Sequence, residues 1–513
     1  MTFTLTRTTV SFLSILSLCS FAWANKQSSY AIVDTGQNSY FGNKSYISKP
    51  NLGEAFFGQD ATYVGNQPSY SNNTNGTITD NNTGLIWQKS ISDKLLWNEA
   101  VEYANNSTLG GFSDWRIPTI KELYSLINFE GKTGTSRNKS TLVPNDAKPY
   151  IDTDYFDFEY SKQRRYIDAQ YWTQTDYVST TMKGNETFFG VNFADGRIKG
   201  YPKYSIGNRG SSIYYLRLVR GNKKYGKNDF YDKDNGTIYD QATKLLWMKY
   251  DSGSKYFTTT NNNGALNWEE ALSFCENLDY VGVDSWRLPN AKELHSIVDY
   301  SKSPDTSRSA AINKLFYTTV IKNTKNQIDY PFYWASTTHL DGPKDGSTAV
   351  YFAFGRALGY MRDRRTNSRE LLDVHGAGAQ RSDPKSGDAS RYPYGRGPQG
   401  DVIKIDNYVR CVSDEYSALN TLNSKERNFH IKESFSKYAK KPEYEQKLDA
   451  QDTKSSNASK HVKKVLKRFD KDGDDRISYE EAPKRMKENF KRHDENMDGY
   501  LSKNELDTLP RPR

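Results

Sequence analysis

Near the C-terminus, oxygen-bearing side chains recur at a spacing that has chemical use. Asp470, Asp472, Asp474, Arg476, Ser478 and Glu481 occupy positions 1, 3, 5, 7, 9 and 12 of a twelve-residue run. Asp494, Asn496, Asp498, Tyr500, Ser502 and Glu505 repeat that pattern 24 residues on. The seventh position serves through its carbonyl, so Arg476 and Tyr500 count by backbone, and the twelfth, Glu481 or Glu505, supplies both carboxylate oxygens. Ser478 and Ser502 serve directly or through water. A flexible cage of hard oxygens in this order suits Ca²⁺. Solvated acidic turns are the plain alternative, and two such runs in tandem argue against it. The sixth position needs a left-handed backbone. Gly499 takes it freely and Asp475 does not, so the second loop is expected to bind the ion more tightly.

Both loops resemble those of EF-hands. Ile477 and Leu501 fall at the eighth positions, where paired loops meet in a short β-bridge. Val462, Val465, Leu466 and Phe469 form the entering helix, and Met486 and Phe490 face inward from a helix that both loops share. The close spacing is also similar to dockerin modules, but the entering helix and the Glu at position 12 favour a small all-α EF-hand pair over 459–509. The rest of the chain offers little catalytic pattern: it has no His-Glu-x-x-His, no phosphate loop and no Gly-x-Ser-x-Gly. The six histidines are scattered and read as packing or surface residues. Lys460, Lys463, Lys464, Lys467 and Arg468 make a basic helix face, solvated or in contact with an anionic polymer or lipid.

One stretch organises the remainder of the 513 residues. Trp115-Arg116-Ile117-Pro118-Thr119-Ile120-Lys121-Glu122-Leu123 returns as Trp286-Arg287-Leu288-Pro289-Asn290-Ala291-Lys292-Glu293-Leu294. Such recurrence means an internal repeat. Pro closes an extended run. Thr119 and Asn290 are N-caps with Glu three residues on, the spacing of a capping box. Leu123, Leu126 and Ile127, like Leu294, Ile297 and Val298, give a helical apolar face. Upstream, Thr77–Asp80 with Gly84–Trp87 reads as a hairpin, matched by Thr237–Asp240 with Leu245–Trp247. Trp97 and Trp268 open helices. Thr135-Ser136-Arg137 pairs with Thr306-Ser307-Arg308, and Tyr171-Trp172 with Tyr333-Trp334. The closing runs are Tyr215–Leu218 and Tyr408–Cys411. Matched tryptophans at 87/247, 97/268, 115/286 and 172/334 read as core anchors of two copies of one domain, 77–221 and 236–413.

Residues 1–24 carry Arg7, an apolar run and Ala22-Trp23-Ala24, the layout of a secretory signal. Leu18 before Cys19 does not suit a lipid anchor. No later run is long enough to span a bilayer. The chain is therefore expected to be exported, to the periplasm, the cell surface or beyond. Residues 25–76 read as an irregular lead-in with one or two strands, and 414–458 as a polar linker. A net charge of +9 permits contact with anionic glycans or membranes and does not call for nucleic acid. Outside the signal only Cys275 and Cys411 remain, an even pair in an exported chain. Copy one has Ala104 and Leu218 in their places, so the two cysteines are missing together, as a disulfide pair would be. Copy two also carries an insertion, 361–407, rich in Gly and Pro. An insertion of this length is either functional or a solvated elaboration. In it His375, Arg381, Asp383 and Tyr394 could line a ligand site.

Gly84-Leu85-Ile86-Trp87, Trp97-x-Glu99-Ala100, Trp115-Arg116-Ile117-Pro118-x-x-x-Glu122-Leu123 and Val409-Arg410-Cys411-Val412, with their partners, resemble the Lcl C-terminal domain family. That family is common in exported bacterial proteins. The resemblance implies an α+β fold similar to C-type lectins and to formylglycine-generating enzymes: short helices on small antiparallel sheets, here twice. A disulfide from first helix to last strand suits that fold. The reactive cysteine pair of the enzymes has no counterpart, and neither does a Glu-Pro-Asn or Gln-Pro-Asp calcium tripeptide of lectins. The reading is of a calcium-binding recognition protein without catalysis, taking a glycan or an envelope or surface partner. The rivals are an enzyme with its site in the insertion, and a structural module docking a partner through its EF-hands.

Overall fold

A computed structural model describes residues 29–134, 141–205, 212–257, 263–341, 344–363 and 366–414, and then 460–471, 476–487, 490–493, 500–502 and 505–506. The signal segment, Thr135-Ser136-Arg137 and nearly all of the linker lie outside them. Among the described residues no helix is long and apolar enough to cross a membrane.

Copy one, with β1 (Tyr70–Asn72) of the lead-in before it, runs β2 (Thr77–Asp80), β3 (Leu85–Gln88), α1 (Trp97–Asn105), α2 (Ile120–Tyr124), β4 (Gln170–Tyr171), β5 (Asp176–Thr181), β6 (Asn185–Asn192), β7 (Arg197–Pro202) and β8 (Val219–Gly221). Copy two, with β9 (Phe230–Asp232) of the inter-copy segment before it, runs β10 (Thr237–Asp240), β11 (Leu245–Met248), α3 (Trp268–Glu276), α4 (Ala291–Ser296), β12 (Phe332–His339), β13 (Thr348–Ala353), β14 (Leu358–Arg362), β15 (Arg369–Asp373), β16 (Gln380–Pro384) and β17 (Val412–Ser413). Short helices thus sit on small antiparallel sheets in both. The first sheets have the same order, β1-β2-β3-β8 and β9-β10-β11-β17, so each copy ends by returning to its own first hairpin.

The repeat extends to single hydrogen bonds. Trp172 donates its indole N–H to Leu95 O and Trp334 to Leu266 O, each at 2.9 Å. The N–H of Ile120 reaches the Thr175 hydroxyl and that of Ala291 reaches Thr337. Arg217 and Arg410, fully buried, satisfy the ends of the first hairpins by donating to the Gln88 and Met248 carbonyls. Seven of the eight matched tryptophans are buried, and Trp97 is half-buried. Cys275 and Cys411 form the disulfide, with Cα atoms 5.7 Å apart. Ala104 and Leu218, their counterparts, share one apolar cluster in copy one.

The insertion is an integral part of the core. Its β15 pairs with β14, and β16 then pairs with β13 on one side and with copy one's β7 on the other. One seven-stranded sheet, β12-β13-β16-β7-β6-β4 with β5 beside β6, therefore spans both copies. Gly200 N donates to His375 O at 2.9 Å, and a Cβ on Gly200 would meet that oxygen at 2.7 Å. The lead-in, which holds the hairpin Tyr40–Phe41 with Tyr46–Ile47 and strand β1, is also buried in part. Gln37 donates to Phe129 O of copy one and Thr338 O of copy two. Lys385, in the insertion and fully buried, donates to Gly42 O and the Thr338 hydroxyl.

Candidate functional site

Each Trp-Arg-x-Pro stretch turns into its helix through the capping box that its spacing predicts. Thr119 and Asn290 accept from the N–H groups of Glu122 and Glu293, whose carboxylates accept the cap N–H groups in return at 2.8 and 2.9 Å. The structure adds a partner that the spacing alone did not reveal. Arg116 donates through both terminal nitrogens to Glu122, at 2.6 and 2.7 Å, and Arg287 does the same to Glu293, at 2.6 Å twice. The signal was present: in both copies Arg stands six residues before the Glu. A bidentate pair of this kind fixes planes as well as charge.

The two short helices meet about a pseudo-twofold. Lys121 donates to Ser296 O of the other copy at 2.6 Å, and Lys292 donates to Ser125 O at 2.8 Å. Each has one further partner from outside the copies' shared plan: Asn228 of the inter-copy segment for Lys121, Asp34 O of the lead-in for Lys292. Burial pushes both ammonium groups down to about 8. Nearby, burial raises the Asp60 carboxyl to about 8, with the Asp34 charge adding to it.

Beside each Arg–Glu pair a cleft opens. The copy-one cleft, about 630 Å³, is lined by Arg116, Lys121, Tyr225, Asn228 and, across the pseudo-twofold, Asp299. The copy-two cleft, about 470 Å³, is lined by Arg287, Asn290, Asp34, Tyr63 and Asp414. Segments flanking the copies, 31–34 with 63–66 and 223–230, thus form walls that neither copy makes alone.

The four insertion residues are not gathered at either cleft. His375 is 2% exposed and its Nε2 lies 2.9 Å from Asp401 Oδ1. Arg381 donates to the other oxygen of Asp401. Asp383, buried two residues further along β16, accepts from Lys404 N at 2.8 Å. Tyr394 is 54% exposed and packs on Tyr360 and Arg369, away from the other three. Burial pushes the His375 imidazole down to about 4, against the pull of Asp401. Burial pushes Asp383 up to about 8. Lys199, Asp195 and Arg197 of copy one face the same region, where burial lowers Lys199 to about 7. Across the join between the copies, Arg197 donates to the Ser382 hydroxyl at 3.3 Å and pairs with Asp341.

In the C-terminal module, α5 (Lys460–Phe469) packs Val462 and Leu466 against Ile477, Phe490 and Leu501. Strands β18 (Ile477–Ser478) and β19 (Tyr500–Leu501) pair antiparallel with Ile477 opposite Leu501. Glu481 accepts from the Ser478 hydroxyl at 2.8 Å and Glu505 from that of Ser502 at 2.6 Å. Between the loops, α6 (Lys484–Lys487) and α7 (Phe490–His493) flank two undescribed residues. Asp470, Arg476 and Tyr500 are described; Asp472, Asp474, Asp475, Asp494, Asn496, Asp498 and Gly499 lie outside the described residues. Among the described residues no three His, Cys, Asp or Glu side chains converge as a metal set.

Two copies of one small antiparallel domain, fused through a common sheet and each with an Arg–Glu pair at a cleft, define a tandem-repeat protein. The Lcl C-terminal domain model matches residues 76–220 and 236–371, more than half of the chain, and the chain belongs to that family. The second match ends inside the insertion, before β17 completes the copy. No curated protein and no solved structure matches the chain.

Proposed function

We propose that this is an exported, calcium-binding recognition protein whose two domains are C-type-lectin-like and take a glycan or an envelope partner. The observation that carries the reading is the pair of clefts, each set against a rigid Arg–Glu pair and walled by amide, hydroxyl and aromatic side chains. Sites of a few hundred Å³ with a small number of fixed polar groups suit small ligands or the tip of a larger one. The rival enzyme in the 361–407 insertion would have to work through His375, which is enclosed and already bonded to Asp401.

Calcium belongs to the terminal module in this reading. The pairing of Ile477 with Leu501 and the juxtaposition of Ser478 with Glu481 and Ser502 with Glu505 support it, because these are the ninth and twelfth positions of each loop. Asp470, Asp472, Asp474, Arg476 O, Ser478 and Glu481 would hold one ion; Asp494, Asn496, Asp498, Tyr500 O, Ser502 and Glu505 the other. Bound Ca²⁺ would neutralise the carboxylates and hold the loops together. The experiment is a glycan array probed with the mature chain with and without Ca²⁺, beside calorimetric Ca²⁺ titration of Glu481→Gln and Glu505→Gln. Two ions are expected, the Glu505 loop taking the tighter one. Calcium uptake that neither substitution alters refutes the calcium reading, and an array blank under both conditions refutes glycan recognition.

A further inference from the structure

The repeat places the same arginine in two settings within one molecule, and the difference between them identifies a ligand chemistry. Arg116 is bridged to Val219 and Arg287 to Val412, so the backbone register fixes which residues correspond. Two positions on stand Gly221 in copy one and Asp414 in copy two. Asp414 covers the outer edge of Arg287: Nε donates to its Oδ2 at 2.9 Å and Nη2 to its Oδ1 at 2.7 Å. With Glu293 on the other edge and the Tyr63 ring 5.3 Å away, the Arg287 side chain is 6% exposed. Arg116 has Glu122 as its one ionic partner among the described residues, and its side chain is 20% exposed. Gly221 cannot be exchanged for an acid: its φ is +88° and a Cβ would meet Gly84 O at 2.8 Å.

The charges around the two arginines follow the same contrast. The copy-two cleft is lined by Asp34, Glu293 and Asp414 against Lys244 and Arg287. The copy-one cleft has Arg116, Lys121, Lys223 and Lys227 against Glu122 and Asp299. An arginine edge prefers a planar carboxylate, which it grips with two parallel hydrogen bonds. Copy two supplies that carboxylate from its own chain. Copy one offers the edge to its cleft, with Lys223 and Lys227 exposed at the mouth.

We infer that the copy-one cleft binds a sugar acid, its carboxylate on the outer edge of Arg116 in the place that Asp414 takes on Arg287. Tyr225 and Phe230 add aromatic carbon to the lining, and Gln174, Thr175 and Asn313 add polar side chains that could meet hydroxyls, in a volume that holds one or two pyranose rings. The inference rests on the recognition reading for its ligand class. The copy-two cleft, closed by Asp414, takes no such ligand.

The test is ligand-observed NMR of the mature full-length chain with glucuronate, glucose, acetate and sulfate. Glucuronate should bind and glucose should not. Lys223→Gln with Lys227→Gln, both on the surface, should weaken glucuronate at least fivefold without moving the thermal transition. Arg116→Lys, which keeps charge and loses the fork, should weaken it at least tenfold. No glucuronate binding, binding indifferent to all these substitutions, or displacement by sulfate as effective as by glucuronate would each overturn the inference. If an array shows uptake of neutral glycans while glucuronate fails, this inference falls and the recognition reading stands.

Discussion

Lys292→Met would measure what the lysine at the centre of the pseudo-twofold does. The Lys292 ammonium is buried against two carbonyls, Asp34 O and Ser125 O, both at 2.8 Å. Methionine fills a similar volume and leaves both carbonyls short of a donor, at a cost of about 1–3 kcal/mol each. The charge itself works against folding. Burial lowers the Lys292 pKa from 10.5 to about 8, so between those values the unfolded chain holds more protons and stability rises with pH. For this one group the rise from pH 7 to pH 10 is about 2–3 kcal/mol. Methionine abolishes it. At pH 7 relief of the buried charge offsets most of the lost bonding and the variant should be within about 1–2 kcal/mol of the parent. At pH 10 the relief is gone, and the variant should be worse by a further 2–3 kcal/mol or so. Urea unfolding of both proteins at the two pH values gives the double difference, in which Lys121 and the other shared titrations cancel. A difference that does not change with pH would refute the account of a charged, costly Lys292.

Replacing Cys275 and Cys411 together by Ala opens a loop of 136 residues and should cost about 4–5 kcal/mol in urea unfolding, with reductant producing the same loss in the parent. Equal stability with and without reductant would contradict it. Arg381→Leu leaves the Asp401 carboxylate buried with His375 as its remaining side-chain partner and should cost about 3–5 kcal/mol, whereas Tyr394→Ala, on the surface, should cost less than about 1 kcal/mol. Equal losses at the two positions would show that the buried Asp401 cluster does not hold the insertion in place.

Much of each domain was legible locally. A capping box needs a Thr or Asn and a Glu three residues apart, and both occurrences fold as such because the contacts stay within one turn of helix. The hairpins follow from short β-rich runs around a turn, and the disulfide from a pair of cysteines absent together from the other copy. The Arg partner of each capping Glu was in the repeat but carried no local rule, since extended backbone before a proline does not say where a guanidinium points. The lead-in carries no clear periodicity, and the Gly- and Pro-rich insertion read as either functional or solvated. Their buried residues are held by backbone carbonyls of distant segments, as Gln37 and Lys385 show, and such bonds leave no sequence pattern.

By itself the sequence determined that there are two copies, where each repeat helix starts and which cysteines pair, since each of these depends on neighbours in the chain or on comparison of the copies. The tertiary structure alone decided how the copies join and what each cleft contains. Strand β16 enters a sheet between β13 and a strand from the other domain, a choice set by pairing between strand edges far apart in the chain. Arg116 and Arg287 are the same residue in the same motif, yet Asp414, 127 residues away, covers one and Gly221 leaves the other to its cleft. Side-chain reach across a closing strand fixed that difference, and it becomes visible only when the strand is in register.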